Sequence, residues 1–79
     1  MGNADIDRQV INHLIYLIRR GEAAESIGEI ADQLALSVNR VRHSVMRLVA
    51  YGEVREAGVT ATGAKTWTLT GTPLDEDGA

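Results

Sequence analysis

Apolar positions follow a helical period up to about residue 52 and an alternating period after it, so the chain divides into a helical part and a strand part. Ile6, Val10, Leu14, Leu17 and Ile18 recur at helical spacing, which predicts a first helix over residues 4–20 with one core-facing stripe. Asn3 is placed to cap its start, and Asp5 and Asp7 suit the positive end of the helix dipole. Arg19 and Arg20 suit the negative end, and Gly21 is the stop signal. Ile11 and Ile15 make the stripe broader than one packing surface requires. Two readings follow: a helix buried on two sides by its neighbours, or a homodimer seam through the first helix.

A short polar connection leads to Ser26-Ile27-Gly28-Glu29, which has the S-x-x-E form of a capping box. Ile30, Ala31 and Leu34 continue it as a short helix over residues 27–34. Ala35 and Leu36 leave room only for a tight turn before Ser37, a good N-cap for the next helix. Two helices joined this closely have the spacing of a helix-turn-helix, with the small Ala31 where they would cross.

The organising stretch is residues 37–52. Val41, Val45, Leu48 and Val49 form its apolar face, and Gly52 stands where a left-handed residue would end it. The opposite face carries Asn39, Arg40, His43, Met46, Arg47 and Ala50, with Arg42 on the flank beside Val38. Between Gln33 and Gly52 there are three arginines and no carboxylate. This is the pattern of a helix buried on one side and offered to an anionic groove on the other. Arginines on a wet helix face are equally what any soluble amphipathic helix carries, so the neighbouring elements must add weight.

After Gly52, residues 53–58 and 64–70 read as two strands joined by a turn over residues 59–63. In the second strand Thr66, Thr68 and Thr70 alternate with Lys65, Trp67 and Leu69, so the threonines are expected to face water while Trp67 and Leu69 face the core. Trp67 is the chain's one tryptophan and reads as an anchor against the third helix. Arg55 and Lys65 lie on the arms of this hairpin, a placement that suits sugar-phosphate or minor-groove contact. Residues 71–79 contain the only proline and three acids without periodicity, and are expected to form a disordered acidic tail after a domain of residues 1–70.

Composition limits the chemistry. The chain has 79 residues, no cysteine and a formal charge of −3, which looks wrong for a binder of nucleic acid. The acids Asp75, Glu76 and Asp77 account for that excess, leaving a neutral domain whose charge is segregated by face. Absence of cysteine removes disulfides and thiolate metal sites and fits a reducing cytoplasm. No apolar run is long enough to span a membrane, and the N-terminus lacks the pattern of a secretory signal. His13 and His43 fall on different helices with no nucleophile or carboxylate in a recognised spacing, and no phosphate-cradling glycine motif is present. The expectation is therefore a non-enzyme without cofactor or metal.

The order helix, helix, turn, basic helix, hairpin resembles winged helix-turn-helix domains. Residues 29–69 look like bacterial winged-helix regulators: EIADQLALS for the second helix and turn, VNRVRHSVMRLVAYGEV for the recognition helix and first strand, KTWTL for the returning strand. The step Gly52-x-Val54 into the hairpin and the pair Trp67 and Leu69 are similar to the family pattern. Size and wing length resemble the small fimbrial-operon regulators, although those tend to be more basic and this acidic tail departs from them. The Z-form-binding winged helices also carry a tryptophan on the returning strand. Their characteristic asparagine and tyrosine correspond here to Arg42 and Met46, a departure that argues against left-handed DNA.

The resemblance implies an α+β fold of three helices and a C-terminal two-stranded β-hairpin wing. It also implies a small transcriptional regulator that binds double-stranded DNA, with the third helix in the major groove. On that reading Asn39 and Arg40 suit adenine and guanine edges. Ser37 and the first-turn N–H groups suit phosphate. Arg42 and Arg47 would position the domain on the backbone, His43 could do either, and Arg55 and Lys65 would serve the wing. The alternative is a winged-helix adaptor that binds another regulatory protein and no DNA, since fold does not settle function.

Overall fold

The first helix starts one residue earlier than the pattern suggests. Gly2 caps it through its carbonyl, which accepts from the N–H groups of Asp5 and Ile6, and Asn3 is its first residue rather than its cap. The computed structural model describes residues 2–22 and 24–71. Its elements are α1 (Asn3–Arg19), β1 (Glu25–Ser26), α2 (Ile27–Leu34), α3 (Val38–Ala50), β2 (Val54–Val59) and β3 (Lys65–Leu69). Past Gly71, the expected acidic tail lies outside the described residues.

Local chemistry explains the helix ends. Ser26 Oγ accepts from the Glu29 N–H at 3.3 Å, and the Glu29 carboxylate accepts from the Ser26 N–H, so the capping box forms in both directions. Ser37 Oγ accepts from the Arg40 N–H at 3.2 Å and caps α3 in the same way. Gly21 and Gly52, at φ of 83° and 78°, provide the left-handed residues that follow α1 and α3. The turn from α2 to α3 has no glycine. Ala35 takes the left-handed conformation there at φ 56°, and the Leu36 N–H closes the turn on the Ala31 carbonyl at 3.0 Å.

One core joins these elements. Ile6, Val10, Leu14 and Leu17 of α1 meet Ile30 and Ala31 of α2, Val41, Val45 and Leu48 of α3, Val54 of β2 and Trp67 of β3. Each such aliphatic side chain contributes about 1.5–3 kcal/mol of burial. Val49 was expected on the core face but is 38% exposed. Eight residues on from Val41, it has rotated about 80° from the buried line. Ser44, three residues on from Val41, is fully buried in its place.

The sheet has three strands, in the antiparallel order β1-β3-β2, rather than the two expected. β1 pairs Glu25 with Trp67 and Ser26 with Thr66. Two residues are too few to show a strand period, so this element was not visible in the pattern. It makes β3 the central strand. Thr68, expected to face water, is 5% exposed there. β2 pairs with β3 from Val54↔Leu69 to Val59↔Lys65, with an irregularity between Glu56 and Gly58. Thr60 closes the hairpin tip, its N–H donating to the Ala64 carbonyl at 2.7 Å and its Oγ1 accepting from the Ala64 N–H at 3.1 Å.

His13 and His43 do not meet. His13 is buried on α1 and its Nε2 lies 2.7 Å from Glu25 Oε1, which ties α1 to β1, whereas His43 is exposed on α3. Ile11 and Ile15 are partly buried; Ile15 lines a shallow hollow with Ile18, Arg19 and Leu69.

The left-handed alanine gives a direct test. A non-glycine residue there costs about 1–2 kcal/mol, of which the extra freedom of glycine in the unfolded chain returns about 0.4–1 kcal/mol. Ala35→Gly is expected to raise the stability by roughly 0.5–1 kcal/mol, read from urea denaturation. A loss of stability would show that the turn is not strained at this residue.

Candidate nucleic-acid interface

Burial of the Val41, Val45 and Leu48 line leaves the other side of α3 open, and that side has two flanks. Toward the hairpin, Val38, Arg42 and Met46 line an open cleft of about 540 Å³ with Ser26, Ile27, Gly28, Ala64, Lys65 and Trp67. Toward the start of α1, Arg40, His43 and Arg47 line a smaller cleft of about 180 Å³ with Asn3 and Ile6. The lining of the first is mostly apolar and includes the cations Arg42 and Lys65, and that of the second is predominantly polar.

The expected contact residues fall around these clefts. Arg42 and Lys65 come from different elements and share the hairpin-side cleft. Arg40 and His43 are exposed together on the other flank. Asn39 is exposed, and its Oδ1 accepts from Arg42 Nη1 at 2.8 Å. The hydroxyl of Ser37 is used in capping α3. Arg55 is exposed on β2 opposite Thr68, and neither of the two clefts includes it. Lys65 is within 3.7 Å of Glu56, but both side chains are about half exposed or more, so this pair holds the ammonium only weakly.

Arg47 has a different environment from the other two arginines. Its Nε and Nη2 donate to Asp7 Oδ2 and Oδ1 at 3.2 and 2.7 Å, a two-point bond between α3 and α1. Ser44 Oγ donates to the same carboxylate. The sequence places Asp7 to suit the helix dipole, and its packing role is not local, because Asp7 and Arg47 are 40 positions apart. The Arg47 guanidinium holds the Asp7 carboxyl below its ordinary 3.8, with burial opposing and the Ser44 hydroxyl assisting. In return, Asp7 raises the pKa of Arg47.

Trp67 is both anchor and cleft floor. It is 7% exposed, yet it lines the hairpin-side cleft beside Met46 and Arg42. Its position there was readable in one respect: Lys65 and Trp67 are two residues apart on a strand, so they share a face. Among the described residues no cluster of three or more His, Cys, Asp or Glu side chains could hold a metal ion. No helix among them is long and apolar enough to cross a membrane.

Comparison with solved structures identifies this architecture as the winged-helix fold. The Zalpha domain of Carassius auratus PKZ, in complex with Z-DNA, matches with a TM-score of 0.66 at 18% identity, over 86% of this chain and 97% of that one. The apo-Zalpha domain of zebrafish PKZ matches with a TM-score of 0.67 at 22% identity, over 85% and 94% of the two chains. No protein-family model and no curated protein matches the sequence. At these identities the likeness is one of fold.

The Asp7 site sets a pH dependence with a defined sign. Its folded pKa is depressed, so its stabilisation is complete above the unfolded carboxyl value and is lost as pH falls through the folded one. Asp7→Ala is expected to cost roughly 2–3 kcal/mol at neutral pH, since it removes charge-assisted bonds and leaves Ser44 unpaired. Urea denaturation should show the two proteins converging in acid. A difference that persists below the folded pKa would assign the loss to packing instead.

Proposed function

We propose that this winged-helix domain binds double-stranded DNA, with α3 in the major groove and the hairpin on the backbone or adjacent minor groove. One observation carries the reading: Arg42 of α3 and Lys65 of the hairpin line one open cleft, on a helix that bears no carboxylate. Two elements thus aim cations at the same space, as a groove with its flanking phosphates requires. Arg40 and His43 extend this surface along the other flank, Arg55 lies near the base of the hairpin opposite Thr68, and Arg47 acts by bracing α3. The near-neutral charge of the domain implies weak non-specific binding and a local electrostatic contact.

The finer reading, a small transcriptional regulator, rests on the resemblance of residues 29–69 to bacterial winged-helix regulators. A homodimer through α1 would use the shallow hollow of Ile15, Ile18 and Leu69, and concentration-dependent sedimentation tests it. A second reading concerns the form of the duplex. The Carassius auratus domain was solved with Z-DNA, and this chain places Trp67 on the cleft floor. Arg42 and Met46 stand beside it, where the Z-form binders have asparagine and tyrosine, so we favour a right-handed duplex.

Fluorescence anisotropy of a mixed-sequence duplex at several salt concentrations tests the proposal. Binding should weaken steeply with salt, and Arg40→Ala/Arg42→Ala should reduce the slope of log affinity on log salt by roughly one per phosphate contact removed. Absence of binding at low salt would sink the duplex reading in favour of a protein-interaction adaptor. Inversion of the circular-dichroism spectrum of an alternating d(CG) duplex on titration would instead establish the left-handed form as the target.

A further inference from the structure

Three arginines lie on α3, and their guanidinium groups are differently committed. Arg47 uses its Nε–Nη2 edge, the two-donor side of the fork, on the two oxygens of Asp7. Arg42 donates through Nη1 to Asn39 Oδ1 at 2.8 Å, which leaves its Nε–Nη2 edge open. Among the described residues Arg42 makes no ion pair. Its partner is a neutral amide, so the bond fixes the direction of the guanidinium without cancelling its charge. Asn39 and Arg42 are three residues apart, neighbours on the helix surface, and Arg42 stands in the cleft with Lys65, Met46 and Trp67.

We propose that Asn39 is a positioning residue for Arg42 rather than a reader of adenine, and that Arg42 presents its open edge to a planar pair of acceptors on the duplex. This inference rests on the duplex-binding reading. The acceptor pair is either guanine O6 and N7 or two oxygens of one phosphate, which share the geometry a guanidinium fork requires. The Asn39 oxygen, which an adenine contact would use, already accepts from Arg42. An arginine held in place loses less side-chain freedom on binding than a free one, so this bond contributes to affinity through pre-organisation.

NMR relaxation at Arg42 Nε in the DNA-free protein tests the first half. The wild type should show an ordered guanidinium, Asn39→Ala a mobile one, and Asn39→Asp, which keeps the acceptor, an ordered one. Equal mobility in wild type and Asn39→Ala overturns the inference without touching duplex binding. Titration of duplexes selected from a random pool tests the second half. Asn39→Ala should weaken binding on the order of three- to tenfold, and should have no further effect when Arg42→Ala is already present. Both variants should relax a preference for guanine at one shared position if the base edge is the target, or weaken all sequences alike if phosphate is. Additive losses, or an adenine preference that only Asn39→Ala relaxes, overturn the proposal. Wild type failing to bind any duplex overturns the duplex reading itself, and the relaxation result distinguishes that failure from the others.

Discussion

The face that α3 presents depends on which of its sides is buried. Val41 and Val45 are fully excluded from water and Leu48 nearly so, locked against α1, α2 and the sheet. With that line fixed, the roll of the helix is fixed, and every other side chain on it has a set direction. A rotation by one residue would turn Arg40 or Arg42 toward the core, which an unpaired guanidinium could not tolerate. The apolar contacts therefore determine the polar face, although they touch nothing on it.

Polar bonds then refine what the core has set. Asp7 holds α3 from the side of α1 through Arg47 and Ser44, at the buried margin of the open face. Asn39 does the analogous task within the helix for Arg42, at the exposed margin. The two differ in charge. A carboxylate offsets the charge of the arginine it holds, and Arg47 stays partly exposed on the smaller cleft; an amide leaves the charge of Arg42 available. Arg40 has neither kind of partner among the described ion pairs and hydrogen bonds, and stands exposed on the smaller cleft. Three identical side chains on one helix thus stand in three different environments.

Most of the fold could be read from the sequence because it is encoded locally. The capping box at Ser26 and Glu29, the cap at Ser37 and the glycines after α1 and α3 each act within a few residues, and each appears as expected. What could not be read is non-local. Glu25 and Ser26 form a strand only because Trp67 and Thr66 arrive beside them, and the burial of Thr68 likewise appears only in the packed structure. Asp7 looked like a dipole residue until α3 was packed against it. The candidate site shows the same division. Its residue types and the open face of α3 were legible, whereas the cleft shared by α3 and the hairpin exists only in the tertiary structure.

Ser26 is the last residue of β1, the N-cap of α2 and part of the wall of the hairpin-side cleft. Trp67 is likewise both core and cleft floor. Neither can change to suit a new ligand without disturbing strand pairing, a helix start or the core. Val38, Met46, Ala64 and Lys65 line the same cleft, are exposed, and are outside the core cluster. The cleft is thus assembled from a constrained half and an unconstrained half. Divergence among descendants of such a chain would accumulate on the second, so the scaffold could acquire new preferences while its foldability stayed intact.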